Sequence, residues 1–145
     1  MSGGRKSAAA KAVRAAYTAS MPTEEQEQIG LFNWARSMSF AIPELDLLYH
    51  VPNGGQRSSR EGYFLKAAGV KSGVPDICLP VARGGYHALY IELKRLKRGR
   101  LTENQRWWIR RLQAEGIRAV ICAGRETAQA EILSYLSGEI IRGDG

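Results

Sequence analysis

Asp76 and, sixteen residues further on, the triplet Glu92-Leu93-Lys94 are the side chains of this sequence best suited to chemistry. Two hard carboxylates and a backbone carbonyl suit an octahedral cation such as Mg²⁺ or Mn²⁺. Such an ion acidifies its water and polarises a phosphoryl oxygen, the two needs of phosphodiester hydrolysis. A lysine beside it can orient or deprotonate the water, or stabilise the pentacoordinate phosphorus. The sequence leaves those roles open. Each piece alone is ordinary: Glu-x-Lys is also how a solvated strand alternates its charges, and Pro75-Asp76 is also a turn. The combination carries weight only if neighbouring strands bring the pieces together.

The punctuation of the chain predicts that they do. Val74 to Leu79 reads as a strand, Arg83-Gly84-Gly85 as a hairpin turn, and Tyr86 to Leu93 as the returning strand. Alternation puts Glu92 and Lys94 on one face and Leu93 on the other. Thr23 with Gln26, Ser58 with Glu61 and Thr102 with Gln105 form capping boxes. They open helices running to about Met38, to Gly69 and to Glu115, the last stopped by Gly116. Leu47 to Val51 is a short strand ended by Pro52-Asn53-Gly54-Gly55, Ile117 to Cys122 another strand, and Glu126 to Leu136 a closing helix. The order α-β-α-β-β-α-β-α predicts an α/β fold with a mixed central β-sheet flanked by helices. The hairpin is antiparallel, and the helix after it permits a parallel crossover to the last strand. Residues 1–20, basic and free of acids, read as a flexible tail with helical tendency in its Ala-rich part; 138–145 read as a short frayed end, leaving 21–137 as the domain.

A chain of 145 residues supports one domain with its own core. Its net charge of +7 points to an anionic partner. Lys94, Arg95, Lys97, Arg98, Arg100, Arg106, Arg110 and Arg111 are opposed within 94–111 only by Glu103, so this stretch equals the whole net charge of +7. A charge run is often only a solvated face; here it adjoins the carboxylates. Cys78 and Cys122 lie in apolar runs and read as buried, reduced thiols. No apolar run approaches the ~18 residues of a membrane span, and no apolar segment follows the basic start as in a secretory signal. Cytoplasmic residence, in a bacterium or a phage-infected cell, is the expectation.

Asp76, Glu92, Leu93 and Lys94 resemble the motif of the PD-(D/E)XK nuclease superfamily. One branch is closer. His50-Val51-Pro52-Asn53-Gly54-Gly55, then Gly69-Val70-Lys71-Ser72-Gly73-Val74-Pro75-Asp76-Ile77, then Ile91-Glu92-Leu93-Lys94, then Leu101-Thr102 with Gln105, resemble the VRR-NUC (virus-type replication-repair nuclease) family over about Thr23 to Leu136. The resemblance implies a restriction-endonuclease-like PD-(D/E)XK core. It also implies a divalent metal, Mg²⁺ or Mn²⁺, held by Asp76, Glu92 and the Leu93 carbonyl, with an acidic residue from the first helix. Glu24, which shares a helical face with Gln28, Leu31 and Ala35, is the first candidate and Glu27 the second. Their other reading is favourable placement at the positive helix end. Gln105 matches the family's glutamine and joins Asp76, Glu92 and Lys94 as a catalytic candidate; its alternative is the capping box alone.

DNA contacts are expected from Asn53 in the tight loop, from Arg57, Arg60 and Lys66 around the second helix, and from Lys97, Arg98, Arg100 and Arg106. His50 reads either as reaching the site or as a structural histidine. Trp107 and Trp108 read as core anchors, one partly exposed, or as base-stacking groups. The family's small free-standing members imply a structure-selective endonuclease resembling Holliday junction resolvases, a homodimer acting on four-way junctions in viral or phage replication, repair or recombination. No membrane partner or small-molecule cofactor is expected. The alternatives are a flap-cutting or restriction-like nuclease on the same fold, or a non-catalytic basic nucleic-acid-binding protein.

Overall fold

Residues 8–52, 58–97 and 99–143 are described in this computed structural model. Their strands are β1 (Tyr49–His50), β2 (Ile77–Leu79), β3 (Leu89–Lys94) and β4 (Arg118–Ala123). They form one sheet in the order β1-β2-β3-β4. β1, β2 and β3 pair antiparallel, and β4 lies parallel to β3. The helices are α1 (Ala8–Ser20), α2 (Glu24–Met38), α3 (Ser59–Ala67), α4 (Glu103–Ala114) and α5 (Arg125–Ser137), with a 3-10 turn at Pro43–Leu47. From α2 onward the order is α-β-α-β-β-α-β-α, and the whole is a mixed sheet with helices against it.

The core follows from alternation in β3. Leu89, Ile91 and Leu93 turn into a cluster with Leu31 and Ala35 of α2 and Ile132 and Tyr135 of α5. α2 and α5 pack on each other and on β3, while α4 packs on β4. β3 is therefore held from both sequence directions, and its other face is left for Glu92 and Lys94.

The local signals are realised with some differences. Thr23 and Thr102 form reciprocal capping boxes. Ser58 makes only half of one, accepting the Glu61 N–H at 3.3 Å. β1 and β2 are shorter than the apolar runs around them. Pro75 has no N–H to give a ladder, and Gly73 at φ +90° turns the chain just before it. Pairing still reaches past β2, since the Val51 N–H donates to the Asp76 carbonyl at 2.7 Å. In the hairpin loop Arg83 and Tyr86 exchange both backbone bonds. Gly84 and Gly85 lie at φ +58° and +85° between them, the positive pair that a tight two-residue hairpin turn requires.

The helical tendency of the N-terminal segment is realised, and the C-terminal segment carries more order than the sequence discloses. The Ala-rich part of the N-terminal segment is the regular helix α1, as alanine's low cost in a helix permits. The segment read as a frayed C-terminal end turns at Gly138 (φ +76°) and returns to the hairpin, where the Arg142 N–H donates to the Gly84 carbonyl at 2.8 Å. α3 buries no residue.

Glu27 is buried in α2, and its Oε2 accepts the N–H of Arg125, the first residue of α5, at 2.7 Å. The N-cap residue before α5 is Gly124, which has no side chain to cap it, so a carboxylate from α2 does so. Glu27→Ala is expected to cost about 1–3 kcal/mol by leaving that donor unsatisfied. Urea unfolding would show it as a lower midpoint at unchanged slope; an unchanged midpoint would deny Glu27 the cap.

Candidate active site

The end of β3 and the start of α4 assemble one polar cluster beneath the surface. Ile77 pairs with Ile91, so Asp76, just before β2, falls beside Glu92 as the ladder runs out. Asp76 is anchored by its backbone and its side chain. Its carbonyl accepts from Val51 and, at 2.8 Å, from His50 Nδ1; a carbonyl only accepts, so that ring nitrogen carries the proton. Its Oδ2 accepts the Leu93 N–H at 2.9 Å. A strand residue directs its N–H and C=O to the same side, so the Leu93 carbonyl opens toward Asp76 as well.

Glu92 is 2% exposed and Lys94 9%. The Lys94 ammonium lies 3.3 Å from Glu92 Oε1. Gln105 ties the two together: its Nε2 donates to Glu92 Oε1 at 2.7 Å, and its Oε1 accepts from Lys94 Nζ at 3.2 Å and from the Thr102 N–H at 2.9 Å. The capping reading and the site reading of Gln105 are therefore both realised by one amide.

The electrostatics are those of crowded acids. Burial raises the Asp76 pKa; the Leu93 N–H opposes this, and the Glu24 charge adds to it. Burial, then the charge of Asp76, push the Glu92 carboxyl up to about 7 despite Lys94, with Glu24 contributing in the same direction. Glu24 on the exposed first turn of α2 is thus within electrostatic reach of both carboxylates, whereas Glu27 is occupied at the start of α5. Among the described residues no three His, Cys, Asp or Glu side chains converge into a ready-made metal cage. The residues nonetheless fit a divalent ion on a specific ground: Glu92 Oε2 is buried without a hydrogen-bond partner. An orphaned buried carboxylate oxygen is costly, and a hard dication would satisfy it and relieve the repulsion with Asp76.

The other expected residues lie as follows. Arg60 and Lys66 are exposed on α3, Arg60 over the Phe64 ring at 5.9 Å. Lys97, Arg100 and Arg106 are exposed, Lys97 over the Tyr17 ring at 5.1 Å. Asn53, Arg57 and Arg98 lie outside the described residues. Cys78 and Cys122 are buried, and burial pushes the Cys122 thiol up to about 12, an inert group. Trp107 is exposed and Trp108 half-buried, so neither anchors the core.

Gly99 was not singled out by motif reasoning. A Cβ there would stand 2.5 Å from Lys94 Cβ and 2.8 Å from its Cγ, so the bare backbone lies along the lysine stem. The only sequence hint is a glycine inside a basic run. No helix among the described residues is long and apolar enough to cross a membrane.

No curated protein matches the chain. The VRR-NUC domain family matches residues 14–126. A solved structure described as a VRR_NUC domain protein is similar at a TM-score of 0.72 and 32% identity, over 84% of this chain and 94% of that one. With a sequence match over most of its length and a related fold behind it, the chain belongs to the VRR-NUC family of nuclease domains.

Proposed function

We propose that the chain is a metal-dependent, structure-selective DNA endonuclease on a PD-(D/E)XK core, hydrolysing phosphodiester bonds in branched DNA in the manner of a Holliday junction resolvase. It works as a homodimer in the cytoplasm, in viral or phage replication, repair or recombination. The observation that carries this reading is the buried, unpartnered Glu92 Oε2 beside Asp76 and Lys94. Asp76, Glu92 and the Leu93 carbonyl would hold Mg²⁺ or Mn²⁺, with Glu24 as the further acidic residue. When bound, such an ion supplies an acidified water and a Lewis acid for the phosphoryl oxygen. Lys94, set by Gln105, orients the attacking water and offsets charge developing on the phosphate. Arg60, Lys66, Lys97, Arg100 and Arg106 hold the DNA by its phosphates, with Asn53, Arg57 and Arg98 assigned the same role. A domain of this size has one such site; two matched incisions need two, and a C₂ dimer supplies them through one interface.

The test compares a labelled four-way junction, a flap and a linear duplex in Mg²⁺, Mn²⁺ or EDTA. Paired, metal-dependent incisions at the junction are expected. Equal cutting of linear duplex would favour a restriction-like enzyme, and tight, steeply salt-dependent binding without cutting would leave a basic binder. In the same assay Gly99→Ala, which displaces the Lys94 stem, is expected to slow cleavage by roughly 10- to 100-fold. Full activity in that variant would mean that the position of Lys94 is not critical.

A further inference from the structure

Trp107 and Trp108 have no part in the site above, yet they shape its immediate surroundings. Asn104, Trp107, Trp108 and Arg111 recur at helical spacing, so they form a second stripe on α4, distinct from the one that carries Gln105 and the buried Ile109. Asn104, Trp107 and Trp108 of this stripe border a cleft of about 610 Å³ whose other wall includes Lys71 and Ser72. That volume lies within the roughly 300–1,000 Å³ of small-ligand sites. The two indoles meet edge to face, with centroids 5.5 Å apart and planes at 85°. Trp108 is fixed, its Nε1–H donating to the Ser72 carbonyl at 3.1 Å. Trp107 is 52% exposed, an unusual use of the largest apolar side chain unless something covers it. Arg111 lies 5.9 Å from the centre of its ring, and Arg110 and Lys71 line the cleft, against one acid, Glu103.

The cleft is coupled to the carboxylates by covalent chain and by packing. Ser72 leads through Gly73, Val74 and Pro75 to Asp76, four steps along the chain that span at most about 14 Å. Gly73 lies so close to α4 that a Cβ would stand 2.7 Å from the backbone carbon of Asn104. Gln105, the next residue, faces Glu92 and Lys94. The first turn of α4 therefore stands between the carboxylate cluster and the cleft.

On this geometry we infer that the cleft takes an unpaired nucleobase of the bound DNA, stacked on Trp107, with Lys71, Arg110 and Arg111 on the flanking phosphates. The inference rests on the DNA-directed reading above and deepens it, because it names what makes branched DNA a substrate. In a duplex each base face is covered by its neighbours. An unpaired nucleotide, as at a flap or gap, or one unstacked at the opened crossover of a junction, offers a free face to an indole. Positive charge around the ring suits the phosphates that accompany that base.

The test is binding in EDTA, which separates it from cutting. A fluorescein-labelled dT oligonucleotide, the same strand with abasic residues in place of its bases, and a blunt duplex are titrated against wild type, Trp107→Ala and Trp107→Phe. Trp107→Ala is expected to weaken binding of the dT strand by roughly tenfold, the effect of losing one stacked base. Trp107→Phe should recover most of the affinity. The abasic strand should bind wild type and Trp107→Ala equally, and the duplex should lose far less than the dT strand. Equal binding of dT by wild type and Trp107→Ala, or an equal loss on abasic and dT strands, would overturn the stacking site. Base-dependent binding by a protein that cuts nothing in Mn²⁺ would uphold the stacking site and sink the nuclease reading. Cutting by a protein whose dT binding ignores Trp107 would do the reverse.

Discussion

Cleavage of a four-way junction in Mn²⁺ is expected to fall at least 100- to 1,000-fold in Asp76→Ala, and by roughly the same factor in Lys94→Ala, with DNA binding retained in both. The two losses have different causes. Asp76 accepts the Leu93 N–H at 2.9 Å and supplies half of the carboxylate pair, so on the proposed reading its removal should take away the hold on a divalent ion. Its loss also relieves Glu92 of a neighbouring negative charge, one of the causes that push that carboxyl upward, so the metal-free fold should survive. Lys94→Ala leaves both carboxylates in place and deletes the ammonium 3.3 Å from Glu92. Metal binding should persist there while turnover fails. Calorimetric titration with Mn²⁺ separates the two: loss of uptake in Asp76→Ala, uptake without turnover in Lys94→Ala. Full cleavage by Asp76→Ala would remove the site assignment.

The second large effect is a pH dependence of the metal-free protein. Burial and the charge of Asp76 bring Glu92 from its ordinary 4.5 to about 7, and Asp76 itself moves upward. A carboxyl whose folded pKa lies above its unfolded one binds its proton more tightly when folded. Its contribution is fully present below about 4.5 and is lost as pH rises through about 7. Each tenfold in proton affinity is about 1.4 kcal/mol, so the effect is visible in a domain of ordinary stability. Without metal the midpoint of thermal unfolding should therefore drop between pH 5 and pH 8, over and above any general trend. Mn²⁺ should restore it at pH 8, and Glu92→Gln should flatten the profile. A midpoint that climbs across that window, with Mn²⁺ indifferent, would contradict the crowded-acid description.

What was legible in the sequence was local. Thr23 with Gln26 and Thr102 with Gln105 fix helix starts from residues three apart, and Arg83-Gly84-Gly85 fixes a hairpin. Once that hairpin is granted, Asp76 falls near Glu92, so the pairing at the centre of the candidate site was readable too. What was hidden depends on distant partners. Nothing near Glu27 in the chain indicates that it caps a helix beginning 98 residues later. That contact leaves Glu24, already the first candidate by its helical face, as the first-turn acid with electrostatic reach to both carboxylates. Gly99 matters only because of the stem it lies against, and the C-terminal return depends on the carbonyl of Gly84. Strand lengths were overestimated because apolar character outlasts pairing where Pro75 and Gly73 intervene. The core-anchor reading of the tryptophans fails for a related reason. Indoles in a helix are ordinarily core, and here the helix buries only Ile109.

The double engagement of Gln105 places a restriction on what residue 105 can be. A glutamate closes a capping box as well as a glutamine does, and elsewhere on a protein surface the two are interchangeable. Here the same side chain must accept from Thr102 and Lys94 at one end and donate to Glu92 at the other. Gln105→Glu would leave the start of α4 intact while turning a donor into a third anion against an already crowded pair. The helix would keep its beginning and the cluster would lose its clasp, so tolerance of that exchange for helicity and intolerance for turnover would be read from a single variant.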